Sequence, residues 1–497
     1  MRNPDSATLV AADLGAESGR LLRGRFSNGR IHFEEIHRFM NRWIRLGPTQ
    51  QWDFPYLLSE VIAGLGRLDE PPDAFGVATW GVDYGLVGHD GALVSLPVCY
   101  RDGRSGPMIT AIEEKIGREE LFRSTGVQPS PVNTIYQLAA AAQDQRYLLE
   151  AADAVLLMPD LINHLLGGDR YWDWTNASTT GLLRPGLPEW NDEVFEQLRI
   201  PRRLVGEITP PGHRCGQLAE DVAAQCGWDK SCPLITVAGH DTASAIAAVP
   251  RDPDVENWAY LSSGTWSILG AELDHPVLSL ETLNAGFTNE IGLEGTTRLL
   301  CNMIGLWIIQ RCRGEWADSG EEFSYAELTN AARESSQVSL LNVEHPDLFN
   351  PPSMLEALSE QLTATGQPLP RTPGDWTRSI LTSLAFRYRE TLENLDRLLS
   401  RKTERLYIVG GGSKNDLLCQ LTADATGVPV VAGPSEATAI GNLLVQAMAL
   451  GLIDSLDMLR QVVLHSTELR THEPGQMGGD ADLNALYMRY RELTSDS

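Results

Sequence analysis

Asp241 stands in the run AGHDTASA, Ala238 to Ala245, directly after the apolar stretch Leu234 to Val237. A carboxylate mounted there can take a proton from a hydroxyl as general base, provided it is held within hydrogen-bond reach. The same residues suit the start of an Ala-rich helix, where Asp and Thr commonly cap, and the spacing taken alone favours capping. The two uses are compatible, because a rigid helix start is a good mount for a base. His240-Asp241 could instead belong to a metal phosphohydrolase, but that class needs further His and Asp ligands, and no His pair here has ligand spacing.

Three glycine turns accompany it. In DLGAESGR, Asp13 to Arg20, Gly15 and Gly19 permit a turn whose N–H groups can converge on an anion, and Asp13 can reach a metal held by phosphates. An ordinary hairpin is the alternative, and Glu17 would have to point away from any phosphate. In YLSSGTWS, Tyr260 to Ser267, Gly264 and Thr265 can contact phosphates or simply close a hairpin. In VGGGSKND, Val409 to Asp416, three glycines let backbone approach a flat ligand. Asn415 stands where a dinucleotide fingerprint needs its third glycine, and no G-x-x-x-x-G-K-[ST] exists in the chain, so a bound nucleotide needs another architecture. Trp80-Gly81-Val82-Asp83 offers an aromatic and a carboxylate, which suit a polyol as well as they suit a structural turn.

The elements that must position these residues are legible as pattern. Thr8 to Ala12, Arg20 to Phe26 and Ile31 to Phe39 read as strands, with Asn28-Gly29 a hairpin turn whose residues tolerate positive φ. Leu57, Leu58, Val61, Ile62 and Leu65 recur at helical spacing, and Gly76 to Thr79 follows as a strand. Trp258 to Ser262 and Thr265 to Glu272 repeat the strand, tight turn, strand order of the N-terminus. Ile380 to Leu399 marks a long amphipathic helix leading to the strand Leu406 to Val409. AGPSEATAIGN, Ala432 to Asn442, reads as a strand end and a packed helix. Strands mixed with covering helices imply an α/β class.

A chain of 497 residues exceeds one hydrophobic core. The segment Val249 to Asp254, with two prolines and alternating charges, marks a boundary. The expected division is a first domain over 1–248, a second over 255–470, and a tail over 471–497. That tail begins loop-like and ends as a helix. A formal charge of −26 repels phosphate backbones and anionic lipid, which excludes nucleic-acid and membrane-surface partners but not a small nucleotide. Asp13 interrupts the only apolar stretch near the start, so no secretory signal is expected. Seven scattered cysteines, Cys226 and Cys232 among them, read as reduced thiols in a cytoplasm.

Taken together, these segments resemble the FGGY carbohydrate kinases of the actin and ribonuclease-H-like superfamily. The likeness runs in order through DLGAESGR, EIHRF, TWGVDYGL, LPVCYRD, LLMPD, WTNASTT, GHDTASA, YLSSGTWS, NMIGLWIIQ, IVGGG and AGPSEAT. The resemblance implies two actin-like domains with an interdomain ATP cleft. It implies transfer of a phosphoryl group from MgATP to a small ketose by a monomer or homodimer. Ala16, Glu17, Ser18, Gly19 and Arg20 would embrace the terminal phosphates, with Asp13 near Mg²⁺ through water. Thr265, Gln310 and Gly411 would hold the nucleotide. Gly81, Asp83, His240, Asp241, Thr242 and Asn302 would meet the sugar, with Asp241 as catalytic base. The family's turn usually carries Ser or Thr where Glu17 stands, so backbone donation must serve there. Thr422 and Thr426 occupy places where some members have a close cysteine pair. The alternative is a nucleotide-binding sensor on the same scaffold, without catalysis.

Overall fold

Asn28 and Gly29 adopt φ of 53° and 66°, the left-handed pair that a two-residue hairpin turn requires. In a computed structural model, which describes residues 6–475 and 480–495, this turn joins the strands Ser18–Ser27 and Arg30–Met40. A second hairpin joins Ser18–Ser27 to Ser6–Leu14, whose residues Leu9 to Leu14 are almost wholly buried. Such a strand reads as a continuous apolar run because both of its faces are covered. The chain divides into two compact units.

The first unit comprises residues up to Ala248 together with Glu272–Leu299 and Ala437–Ser466. Its six-stranded sheet runs in the order Arg214–Gln217, Pro233–Ile235, Ala74–Thr79, Ser6–Leu14, Ser18–Ser27, Arg30–Met40. Three of these, Pro233–Ile235, Ala74–Thr79 and Ser6–Leu14, are parallel neighbours. Their C-terminal ends therefore lie side by side, the edge at which open α/β sheets bind ligands. The register places Asp13 opposite Arg20 on one side and Ala78 on the other. Thr79 in turn bridges His240.

The two segments that return to this unit have definite tasks. The helix Ala437–Ala449 packs across the sheet and against the short helix Asp241–Ala247. Asn442 donates to the carbonyls of Ala12 and Gly76, and Gln446 to that of Val10. Gly441 lies against Ser244 so closely that a Cβ there would sit 1.9 Å from the Ser244 carbonyl oxygen. The segment Glu272–Leu299 contributes the strand Phe287–Ile291, described below.

The second unit holds Val249–Ala271, Leu300–Glu436 and Thr467 onward. The strand Trp258–Ser263 pairs antiparallel with Trp266–Leu273 and parallel with Arg405–Val409, which pairs with Val430–Ala432 and through it Arg470–His472. Each unit thus sets a hairpin beside a parallel strand, the echo that the sequence carries. The helix Pro373–Leu399 starts seven residues before its apolar periodicity, because Thr372 and Asp375 form a capping box around Pro373. Ser267 and Tyr388 share a hydroxyl hydrogen bond of 2.7 Å that ties this helix to the sheet.

The tail forms a helix over Asp480–Ser495. Its loop-like start at 476–479 lies outside the described residues. All seven cysteines are free and buried, Cys226 and Cys232 included. Among the described residues no helix is long and apolar enough to cross a membrane.

Candidate active site

The C-terminal ends of the three parallel strands of the first unit carry Asp13, Gly81 and His240-Asp241. Asp13 is buried and accepts from Arg20 Nε at 2.9 Å and Nη2 at 2.7 Å. Both bonds fall on Oδ2, so Oδ1 keeps its acceptor capacity. Beyond it, Ala16 and Glu17 form the turn, while Ser18 and Gly19 already belong to the second strand, Gly19 paired with Leu14 and Phe39. Asn41 fixes the turn by donating from its amide to Gly15 O and from its backbone to Glu17 O. The Glu17 side chain leans to Arg101, whose Nη2 donates to it at 2.9 Å. The negative charge expected to trouble an anion in this turn is therefore paired.

His240 occupies the N-cap position of the helix Asp241–Ala247, so Asp241 is its first residue rather than its cap. Asp241 Oδ1 accepts from Thr242 N at 2.6 Å and from the Thr242 hydroxyl at 3.2 Å. The side chain keeps 31% of its surface exposed, enough for a small ligand to reach it. Burial pushes its pKa above the ordinary carboxylate value and Asp13 adds to this, while His240 opposes. The loop is held from below. Asp173 Oδ2 accepts from Gly239 N at 3.1 Å and the Thr175 hydroxyl from His240 N at 3.3 Å, so Asp173 and the start of the WTNASTT segment that follows it set the height of the base. A Cβ on Gly81 would lie 3.3 Å from His240 Nε2 and Cδ2, so glycine keeps that ring edge clear.

The structure gives Asp83 a different task from the sugar contact expected of it. It is fully buried, and Oδ2 accepts from Trp52 Nε1 at 2.7 Å, Trp80 Nε1 at 3.0 Å and Tyr100 N at 3.1 Å. Oδ1 accepts from Gln137 Nε2 at 2.9 Å. The Trp52 and Trp80 rings, in contact at a 42° tilt, are packed inward with it. The cause lies one residue earlier: Val82 adopts φ of 69°, rare for a β-branched residue, and its carbonyl is caught by the Thr134 hydroxyl at 2.6 Å. That bend turns Asp83 into the interior.

Burial, opposed by these donors, pushes the Asp83 pKa up to about 6. The folded pKa exceeds the unfolded one, so the stability tied to this group is greatest below about pH 4. It falls by up to about 3 kcal/mol as pH rises through 6. In urea titrations, the stability of wild type relative to Asp83→Asn is expected to be about 2 kcal/mol smaller at pH 8 than at pH 4.5. A difference independent of pH would show that Asp83 titrates alike in both states.

In the second unit, Thr265 and Gln310 meet, the Thr265 hydroxyl donating to Gln310 Oε1 at 3.2 Å. The Gly264-Thr265 turn docks on the helix Trp307–Asp318: Leu306 N donates to Gly264 O and Trp307 N to Thr265 O. The triple-glycine turn packs on the same place, because a Cβ on Gly412 would lie 2.0 Å from the Ser263 hydroxyl. Gly411 itself is exposed, with open space beside it. Asn302, expected at the sugar, is exposed and belongs to this unit rather than to the one that carries Asp241.

Sequence reasoning missed Glu290 and Arg298. Both are buried in the first unit and converge on His240, with Glu290 Oε2 3.2 Å from Nδ1 and 2.8 Å from Arg298 Nη2. The available signal was one charge inside each of two apolar strands, FTNEI and TRLLCNMI. Among the described residues no group of three or more His, Cys, Asp or Glu is arranged to hold a metal. A lone hard oxygen such as Asp13 Oδ1 fits Mg²⁺, which commonly takes one or two carboxylates and completes its shell with phosphate oxygens and water.

A hairpin beside a parallel strand in each of two α/β units, with carboxylates at the strand ends of one and glycine turns in the other, defines a two-domain sugar-kinase fold. The chain belongs to the FGGY family of carbohydrate kinases: residues 37–247 match the family's N-terminal domain and 259–450 its C-terminal domain. It is 42% identical to a rhamnulokinase from Bacteroides thetaiotaomicron, over 97% of this chain and 98% of that one. It is 39% identical to a rhamnulokinase from Enterococcus faecalis, over 99% of each. Its fold matches a ligand-bound xylulose kinase from Lactobacillus acidophilus with a TM-score of 0.79, at 17% identity and 98% coverage of both chains.

Proposed function

We propose that this carbohydrate kinase transfers the γ-phosphoryl group of MgATP to the C1 hydroxyl of L-rhamnulose, giving L-rhamnulose 1-phosphate and ADP. The observation that carries the reading is the Asp241 carboxylate, enclosed enough for its pKa to rise yet open to a small ligand. The rhamnulokinases that match nearly end to end support the choice of sugar. A phosphoryl group in transit needs alignment and charge stabilisation more than covalent help. Asp241 orients the hydroxyl and accepts its proton as the new O–P bond forms, while the bond to the β-phosphate oxygen breaks and ADP leaves with the electron pair. A raised pKa makes the carboxylate a better acceptor for that proton.

Gly81, His240, Thr242 and Asn302 bind the sugar, and Asp83 supports them from the interior. Thr265, Gln310 and Gly411 hold the nucleotide, and the turn from Ala16 to Arg20 takes its terminal phosphates. Asp13 would hold Mg²⁺ through water, and the ion would offset phosphate charge. The free thiols suit a reducing compartment, the cytoplasm.

The test is ADP release from MgATP with L-rhamnulose, L-fuculose, L-ribulose and xylulose in turn, beside a control without sugar. Release dependent on L-rhamnulose is expected. Equal rates with all four would discard the substrate, and no release from folded protein would favour a non-catalytic sensor.

The paired charges of the phosphate turn give a second expectation. Arg101→Ala leaves Glu17 uncompensated beside the phosphates, so the KM for ATP is expected to rise about fivefold. Glu17→Ala in the same chain is expected to restore it. A double variant as impaired as the single would mean that Arg101 itself contacts the nucleotide.

A further inference from the structure

His240 is held from both edges of its ring. Nε2 lies 3.4 Å from Asp241 Oδ1, and Nδ1 lies 3.2 Å from Glu290 Oε2. Glu290 is 7% exposed, and the same oxygen accepts from Arg298 Nη2 at 2.8 Å. The Arg298 side chain is 1% exposed, and its Nε and Nη2 also reach the Ile291 carbonyl, each at 3.4 Å. Nη1 of the same guanidinium is buried without a partner.

A buried ion pair adds little to stability that a well-packed apolar pair would not, so its presence calls for another account. The geometry supplies one. A bare Nδ1 would set its lone pair against a carboxylate oxygen at 3.2 Å, nearer than the 3.4 Å between Nε2 and Asp241 Oδ1, whereas a protonated Nδ1 donates to it. Arg298 Nη2, a donor only, lies 2.8 Å from Glu290 Oε2 and 3.5 Å from Nδ1, so its closer bond is the one to the carboxylate. Arg298 thus fixes the carboxylate, and the carboxylate fixes the ring and the place of its proton. The opposite edge, Nε2, is the one that Gly81 leaves clear and that stands beside Asp241.

We propose that Glu290, locked by Arg298, is a positioning residue that keeps the proton on His240 Nδ1 and presents Nε2 to a sugar hydroxyl next to the reacting one. The pair thereby sets affinity for the ketose without touching it. This rests on the preceding assignment of His240 to the sugar. The consequence is a split in the kinetics: disturbing the pair moves the KM for sugar and leaves that for ATP in place.

Two measurements test it. In the full chain labelled with ¹⁵N-histidine, with His240 identified by comparison with His240→Gln, Nδ1 is expected to carry the proton. A bare Nδ1 overturns the proposal whatever the kinetics. In the second measurement, Glu290→Met/Arg298→Leu removes both charges together, so no unpaired ion is left inside. Its KM for L-rhamnulose is expected to rise about tenfold or more, with the KM for ATP within about twofold of wild type. Glu290→Gln keeps an acceptor oxygen for Nδ1–H and is expected to stay within about threefold for both substrates. An unchanged sugar KM in a double variant that melts like wild type overturns the proposal, as does a loss in Glu290→Gln equal to that of the double variant. Should the double variant not fold, the ¹⁵N spectrum and Glu290→Gln decide. If wild type phosphorylates no ketose at all, the assignment of function fails, while the spectrum still judges the anchor.

Discussion

Asp241→Asn is expected to lower kcat at least ~100-fold while leaving the KM for sugar within about threefold. The amide has the size of the carboxylate, and its oxygen can still accept from Thr242 N, so the helix start stays in place. What is lost is a group able to take the hydroxyl proton. Burial and the neighbouring Asp13 raise the pKa of Asp241, so the acidic limb of kcat/KM in wild type is expected to lie above the usual carboxylate range. Activity should therefore fall as pH drops through that raised value, and the limb should vanish from the residual activity of the variant. Near-normal turnover in Asp241→Asn would remove the base from the mechanism.

Gly441→Ala is expected to destabilise the protein by at least about 3 kcal/mol, read as a lowered urea midpoint or a failure to accumulate. The added carbon would lie 1.9 Å from the Ser244 carbonyl oxygen and 2.7 Å from the carbon that bears it. Both atoms are backbone, so no rotamer can yield, and the helices Ala437–Ala449 and Asp241–Ala247 must move apart. Thr438, one turn earlier on the same face, donates to the backbone carbonyl of Asp241 at 3.3 Å. Separation of the helices therefore displaces the base as well, and folded protein recovered from the variant should turn over more slowly. A variant as stable and active as wild type would mean that the helices are free to slide.

The local parts of this architecture are legible in the sequence because their causes are local. Asn28-Gly29 announces its own turn, and the apolar period from Ile380 to Leu399 announces its helix. The start of that helix was not legible, because Pro373-Gly374 resembles a loop until the Thr372–Asp375 capping box is seen. The segments bearing Asp13, Gly81, His240 and Asp241 can be picked out as short motifs. Their meeting at one sheet edge follows only from the parallel register of three strands. Asp83 was misread for a definite reason: a carboxylate beside a tryptophan can face out or in, and the positive φ of Val82 decides. Glu290 and Arg298 were invisible because their partner, His240, lies about 50 residues earlier in the chain. The sequence boundary near Val249 implies one passage between two units, yet Glu272–Leu299 and Ala437–Ser466 return to the first.

That return has a consequence for how the chain is made. Val10 leaves the ribosome well before the amide that meets its carbonyl, which belongs to Gln446, 436 positions later. At roughly 5–20 residues per second, the nascent sheet waits on the order of 20–90 s for the helix that covers it. During that interval the inner face of Ala74–Thr79 and its neighbours is incompletely shielded, an invitation to chaperones and to aggregation. A ribosome stalled near residue 250 would release not an independent domain but a sheet still lacking its cover.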